Sequence, residues 1–411
     1  MLSPIRSDVT IIGAGPAGLA ASLVLGQMGI PCLIIDEDQF PRQKICGDGL
    51  SGKVVSILGK IDVGYVSELS QSGFASTSKA VRFYSPSLKM MELSFKPEQD
   101  SLATGFVCKR IDFDQFLLNN ALKFPSVNFQ PGIWVENLVR KEDSVILEDK
   151  NGRQIAETKL LLFAAGANKM LIHQLDPSYK IPSMGVGIRG YFENVTGSDQ
   201  QNAIEIHFLK ELLPWYLWIF PFGTGSANAG LAVPKESIRN NPLNLNELFF
   251  HLIEKYPHLK KRFENARLKG RMEAARLPLY SGPTKVAGNN YLLLGDAAKL
   301  IDPFTGEGIG NAMLSGYYAA QTASDCLKSK DFKFLMTKSY QLQIDNNPGA
   351  ELKLGLKLQK LARRQFLLNL VIGRASRNEN IRKSISEMLY SNEQKSKLSE
   401  TSFYIKLILG L

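Results

Sequence analysis

Gly13, Gly15 and Gly18 stand as G-x-G-x-x-G, and Asp36 follows after the length of one helix. Each position meets one requirement of a dinucleotide seat. Gly13 suits a tight turn, Gly15 lets a pyrophosphate approach the backbone, and Gly18 lets a helix pack closely on a strand. A carboxylate at position 36 suits a ribose diol. Cys46 stands further on, between Lys44 and the turn Gly47-Asp48-Gly49. It reads either as a bystander thiol or as a group facing whatever the seat binds. Arg110 reads either as a surface arginine or as a cation reaching an anionic cofactor group.

These residues need elements to hold them, and the pattern supplies them. The apolar run Val9 to Ile12 reads as a buried parallel strand. A helical pattern runs from Pro16 to about Met28, and a second apolar run, Leu33 to Ile35, ends in Asp36. A lone glycine motif is weak, but strand, glycines, helix, strand and acid in register are specific for dinucleotide binding. The helix N-terminus offers free N–H groups and a positive dipole end to phosphates. Pro41, Gly47 and Gly49 deny residues 37–50 a regular helix, so they read as a loop over the seat.

Further along, residues 51–72 read as helical, residues 80–95 as a hairpin, and the segment after Arg110 as an amphipathic helix. Short strands follow over 127–148. The run 159–168 reads as a buried strand ending at Gly166 that rejoins the first sheet. Residues 185–233 are strand-rich and read as a separate antiparallel sheet. Within it Tyr216, Trp218 and Phe220 alternate and so share one face. That face reads either as packing on its own core or as the wall of an apolar ligand site. Residues 243–268 read as helical. A second chemical signal lies at 291–325: a strand from Tyr291, then Gly295-Asp296, then a glycine-rich loop opening a helix of small residues. Free N–H groups there suit negative charge on a ring. Residues 331–411 read as helices only.

Totals narrow the function classes. The chain has 411 residues and a net charge of +10, enough for two to three domains. No apolar run is long enough to span a bilayer, and the first residues lack the apolar core of a secretory signal. Four cysteines without metal-ligand spacing argue against a disulfide framework or a metal site and for a reducing, cytoplasmic setting. Residues 352–397 carry eleven Lys/Arg against three Glu, so the charge excess is local. This segment reads as a solvated helix face, or as a surface for an acidic partner, an anionic headgroup or a phosphate-bearing substrate. No nucleic-acid motif accompanies it. The last residues, SFYIKLILGL, read as docking on the core or as dipping into a membrane interface.

Taken together, GAGPAG at 13–18, PRQKICGDGL at 41–50, YLWIFP at 216–221 and GDAAKLIDPFTGEGIG at 295–310 resemble the geranylgeranyl reductase family. These are FAD-dependent oxidoreductases with the fold of p-hydroxybenzoate hydroxylase. The segment from FLLNLVIGRASRN to IRKSISEML resembles that family's helical tail. The resemblance implies an α/β fold, α+β overall. It divides into a discontinuous Rossmann-type FAD-binding domain with a parallel sheet (1–75, 106–180 and 286–328), an antiparallel-sheet substrate domain (76–105 and 181–285) and a C-terminal helical region (329–411).

By the same resemblance, Gly13, Gly15, Ala17 and Gly18 receive the FAD pyrophosphate and Asp36, more often Glu in the family, binds the adenosine ribose. Cys46, Gly47, Gly49 and Gly166 line the cofactor. Arg110 contacts its phosphates or ribityl chain, Val135 lies by the adenine, and Asp296 holds the ribityl chain. The backbone of Gly308 and Ile309 meets the flavin's pyrimidine edge. Tyr216, Trp218 and Phe220 line a tunnel for a prenyl chain. The implied activity is reduction of carbon–carbon double bonds in a long apolar, isoprenoid substrate. Hydride comes from N5 of the reduced flavin, and Cys46 is the candidate proton donor. With no second glycine fingerprint, the electron donor is expected to be transiently docked NAD(P)H or a ferredoxin. Peripheral contact at the cytoplasmic face of a membrane is a further expectation.

Two departures stand out. Ala165-Gly166 replaces the Asp-Gly pair usual in the hydroxylases, and Lys299 replaces a usually small residue. An FAD monooxygenase or halogenase on the same fold is the alternative activity. However, halogenases show W-x-W-x-I-P where this chain has Tyr216-x-Trp218-x-Phe220-Pro221, and their catalytic lysine is not identifiable here. A prenyl-lipid carrier without turnover is a third reading, which the intact Gly306–Gly310 loop opposes.

Overall fold

A computed structural model describes residues 4–94, 105–223, 225–235 and 244–390. The tail segment SFYIKLILGL lies outside the described residues. The fold is α/β. Strand β1 (Ile5–Ile12) is exposed and polar at its start and wholly buried over its second half, where Val9 to Ile12 sit inside the sheet. Helix α1 (Pro16–Gln27) buries all but its last residue, as a helix apolar all round should. Strand β2 (Cys32–Asp36) is buried throughout.

These three elements centre an eight-stranded sheet. β1 pairs in parallel with β2 on one side and with Gln154–Phe163 on the other. Tyr291–Leu293 extends the parallel run beyond Gln154–Phe163, and Val127–Pro131 extends it beyond β2. Helix α1 is sandwiched between this sheet and the helix Ile309–Ser329. Gly316 makes that contact close, since a Cβ there would overlap the Ala17 carbonyl oxygen.

A second, seven-stranded sheet runs in the order 267–279, 183–193, 227–234, 217–221, 204–207, 80–84, 90–94. All its pairings are antiparallel except that of Ile204–His207 with Ala80–Tyr84, which is parallel. One face of this sheet turns toward the first sheet and forms a cavity wall. On the strand 204–207, Ile204 and Ile206 face the cavity, while Glu205 and His207 bury themselves on the reverse side beside His258 and Arg262. Gly49–Leu50, Gly105–Cys108 and Ala75–Ser78 form a separate small sheet, with Gly105–Cys108 in its middle.

Two boundaries differ from the sequence expectation. Residues 52–71 are two helices rather than one, broken at Asp62, whose carboxylate caps the second helix at the Gly64 N–H, 2.7 Å away. The helices expected over 243–268 end at Phe263, and Arg267–Leu279 is a 13-residue strand. That strand lies at the sheet edge, and its first eleven residues are exposed or half-buried. Its charged composition therefore hides the alternation that marks a half-buried strand.

Candidate active site

Between the two large sheets lies one connected cavity of about 1930 Å³. A site for one drug-sized ligand occupies roughly 300–1,000 Å³, so this space is larger than one such ligand needs. One end is the glycine turn after β1. Gly13 takes φ +98, and a Cβ on it would meet the Ala164 carbonyl oxygen at 2.5 Å. A Cβ on Gly18 would overlap the carbonyl oxygen of Gly13. Both glycines are thus required by packing. Gly15 differs: its backbone is extended, and a Cβ there would meet only the Arg42 guanidinium, at 3.7 Å. Its missing side chain faces the cavity, in front of the N-terminus of α1.

Asp36 closes this turn. One carboxylate oxygen accepts the Ala14 N–H at 2.6 Å and the other the Asp38 N–H at 2.9 Å. The residue lines the cavity, but its first task is to lock the loop. Glu37, beside it at the rim, also lines the cavity and is more exposed. Arg42, which the sequence reading passed over, lies against Gly15 and 3.1 Å from the Asp114 carboxylate. Arg110 is buried, and its guanidinium makes a two-pronged pair with Asp114 at 2.7 Å on each arm. Such a fork is largely satisfied by its carboxylate. Both arginines line the cavity, Arg42 against Gly15 and Arg110 beside Cys46.

The middle of the cavity gathers the remaining sequence candidates. Ala17, Val135, Gly166, Asp296, Gly308 and Ile309 all line it. Gly166 has φ +63 with open space around its missing side chain. The Asp296 carboxylate has no hydrogen-bond partner among the described residues. Burial raises its pKa, with Lys44 and Arg110 acting against that rise. Gly310 donates its N–H to the Glu307 carboxylate at 2.7 Å, while the N–H groups of Gly308 and Ile309, at the start of helix Ile309–Ser329, have no partner among the described residues. Lys299 is buried with its ammonium 4.3 Å from the centroid of the Tyr179 ring and is not part of the cavity lining.

Cys46 is half-buried at the junction of this region with the second sheet. Burial raises its thiol pKa, and the Arg110 guanidinium is the strongest influence in the opposite direction. The loop around it is pressed against an aromatic wall. A Cβ on Gly49 would meet the Phe220 ring at 2.9 Å, and one on Gly47 at 3.3 Å. These glycines hence serve the contact with the wall. Tyr216, Trp218 and Phe220 line the cavity as one ladder, with ring centroids 6.5 and 6.3 Å apart. Their strand also packs against the glycine-rich loop: Tyr216 donates its hydroxyl to the Thr305 carbonyl, and Trp215 donates its indole N–H to that of Pro303. Gly230 makes room for the wall, since a Cβ there would meet the Trp218 ring at 2.5 Å.

Comparison with known proteins identifies what kind of site this is. Residues 6–175 match a family described as FAD binding domain. Over 343 residues the chain is 29% identical to a digeranylgeranylglycerophospholipid reductase of Thermoplasma volcanium, covering 81% of this chain and 82% of that protein. Over 333 residues it is 30% identical to a menaquinone reductase of Mycolicibacterium smegmatis, covering 77% and 76%. The chain belongs to the geranylgeranyl reductase family of FAD-dependent oxidoreductases. A geranylgeranyl bacteriochlorophyll reductase-like protein of Thermoplasma acidophilum shares the fold with a TM-score of 0.80 at 22% identity, covering 97% of this chain and all of that one. The chain is also 25% identical over 405 residues to a 1H-pyrrole-2-carbonyl-[peptidyl-carrier protein] brominase of Pseudoalteromonas luteoviolacea, covering 93% of this chain and 91% of that protein.

As a member of this reductase family, the protein is an enzyme with FAD as its cofactor. The site fits that cofactor on its own evidence. An open glycine face and a helix N-terminus suit a pyrophosphate, an unpaired carboxylate at Asp296 suits ribityl hydroxyls, and two free N–H groups at 308–309 suit a pyrimidine carbonyl.

Proposed function

We propose that this enzyme reduces carbon–carbon double bonds in a long apolar substrate of geranylgeranyl type. The observation that carries the reading is the continuity of the cavity. An aromatic and aliphatic wall (Tyr216, Trp218, Phe220, Ile204, Ile206) runs directly into the flavin seat, and Cys46 stands where the two meet. The names of the reductase relatives support an isoprenoid lipid or quinone as substrate.

Bound in its reduced state, FAD would supply the hydride for one alkene carbon. The protein supplies everything else. An isolated alkene is a poor hydride acceptor, so alignment and exclusion of water must contribute a large share of the rate. The wall holds the chain extended and dry. The thiol of Cys46 delivers the proton to the second carbon, and the thiolate left behind is favoured by Arg110. In sum, hydride and proton add across the double bond. The N-terminus of helix Ile309–Ser329 favours negative charge at the pyrimidine end of the cofactor.

The donor of electrons is NAD(P)H or a ferredoxin. Lys353, Lys357 and Lys360 form an exposed stripe along the helix Pro348–Ala362 and make no ion pair among the described residues. The other side of that helix, at Leu354, Gly355 and Leu358, lines the cavity. This basic surface suits an acidic ferredoxin. No helix of the described residues is long and apolar enough to cross a membrane.

Gly187 offers a test of the substrate path. It lines the cavity, and a Cβ on it would come no closer than 3.7 Å to the Leu231 carbonyl oxygen and Leu277 and 3.8 Å to Trp218, ordinary van der Waals distances. Gly187→Leu should therefore fold, keep FAD and fill the tunnel. The expected result is a loss of about tenfold or more in kcat/KM for a geranylgeranyl substrate, about 1.4 kcal/mol, with a smaller loss for a geranyl one. Equal activity of both chain lengths in the variant would place the substrate elsewhere.

A further inference from the structure

Asp48 is the one residue of the Cys46–Gly49 turn that no proposed step uses, yet it is the most buried. Its exposure is 0%, and it adopts φ 65, in the left-handed region that a non-glycine residue enters at a cost. Its carboxylate accepts three hydrogen bonds: from the Arg110 backbone N–H at 3.2 Å, the Tyr191 hydroxyl at 2.7 Å and the Asn228 side-chain amide at 2.8 Å. No cation among the described residues bonds it directly. The nearby Arg189 pairs instead with Glu273 at 2.8 Å and lies over the Tyr191 ring. Burying a carboxylate on neutral donors alone is expensive, and a position flanked by two glycines has simpler solutions. The arrangement of its partners supplies a reason.

Asn228, also 0% exposed, is the hub. Its amide nitrogen donates both to Asp48 and to the Cys46 backbone carbonyl at 2.8 Å, and its amide oxygen accepts the Trp218 indole N–H at 3.0 Å. A single buried network thus runs from the tunnel wall, through Asn228 and Asp48, to the main chain of Cys46. We propose that Asp48 is a positioning residue, which locks Asn228 so that Cys46 and the Trp218 wall keep one fixed geometry. The proposal rests on the reading above that Cys46 and Trp218 face the substrate. A chain that displaces Trp218 also pulls on the carbonyl that sets Cys46, so filling the tunnel and aligning the thiol are linked. Buried, fully satisfied polar networks are suited to such specification.

The donor inventory dictates the test. Asp48→Asn replaces one acceptor oxygen by an amide NH2, which donates and would face other donors. Adding Asn228→Asp returns a complementary pair between 48 and 228 and still accepts the Trp218 N–H, but it cannot donate to the Cys46 carbonyl. Single-turnover reduction of a geranylgeranyl substrate by the pre-reduced holoenzyme should fall about 100-fold in Asp48→Asn, as expected for misplacement by about 1 Å. Substrate affinity should stay within threefold. The double variant should regain thermal stability but not rate. Retention of the rate in Asp48→Asn, or recovery of rate along with stability in the double variant, would overturn the proposal.

A second measurement needs neither Asp48 nor turnover. Trp218→Phe keeps an apolar ring but removes the N–H. Alkylation of Cys46 by iodoacetamide in the FAD-loaded protein, followed by mass spectrometry, should then speed up by about tenfold, with Cys32, Cys108 and Cys326 silent because they are buried. An unchanged Cys46 alkylation rate would overturn the coupling. An altered rate in a protein that reduces no prenyl substrate would keep the coupling and remove the substrate assignment instead.

Discussion

Gly15→Val should yield a folded protein that no longer holds FAD. The expectation follows from the difference among the three fingerprint glycines. Side chains at positions 13 and 18 would run into the backbone at Ala164 and Gly13, so those substitutions damage the fold itself. At position 15 the backbone is extended and the only neighbour is Arg42 at 3.7 Å. The flavin-free variant should therefore match the flavin-free parent in stability to within about 0.5 kcal/mol. Its affinity for FAD should drop by at least about 100-fold, or about 2.8 kcal/mol. FAD titration and thermal melts with and without cofactor separate the two effects: the parent's melting temperature rises with FAD and the variant's does not. A variant that binds FAD like the parent would put the pyrophosphate elsewhere.

Cys46→Ala should leave the flavin bound and remove the proton donor. The expected cost is about 10²–10⁴-fold in the single-turnover rate, with Cys46→Ser between the two. The pH profile carries the sign of the argument. Burial raises the thiol above its ordinary value of 9.0, so the protonated donor persists through neutrality. The rate should accordingly stay level across neutral pH and fall only on an alkaline limb above pH 9, a limb that the alanine variant lacks. Full single-turnover activity in Cys46→Ala would end the role for this thiol and pass it to water.

The cofactor end of this enzyme was legible because most of its constraints are local. The clash that fixes Gly13 is with distant Ala164 and shows only in the fold, but a glycine that must avoid its own turn and an acid at the end of β2 lie within one βαβ unit. The same holds for the loop before Ile309–Ser329, where glycine spacing and a following helix show in sequence. The aromatic face at 216–220 was visible from alternation. Its use as a cavity wall rests on distant residues: Gly230 admits the Trp218 ring, and Gly47 and Gly49 admit that of Phe220. Arg42 was not legible, because its nearness to Gly15 depends on how residues 37–50 fold back over the turn after β1. Asn228 left one trace, an amide inside the otherwise apolar run Ala227–Val233, and its partners lie as far as 182 residues away. The strand Arg267–Leu279 was hidden because an edge strand with little burial keeps charges on both faces.

The most direct test of the account is an anaerobic one. The purified holoenzyme is reduced with dithionite, freed of excess reductant and mixed with geranylgeranyl diphosphate or a geranylgeranylated glycerolipid. The account predicts reoxidation of the flavin without oxygen and a product heavier by two mass units for each bond reduced. Flavin that stays reduced until oxygen is admitted, followed by an oxygenated or, with halide present, halogenated product, would contradict it and establish the monooxygenase or halogenase chemistry in its place.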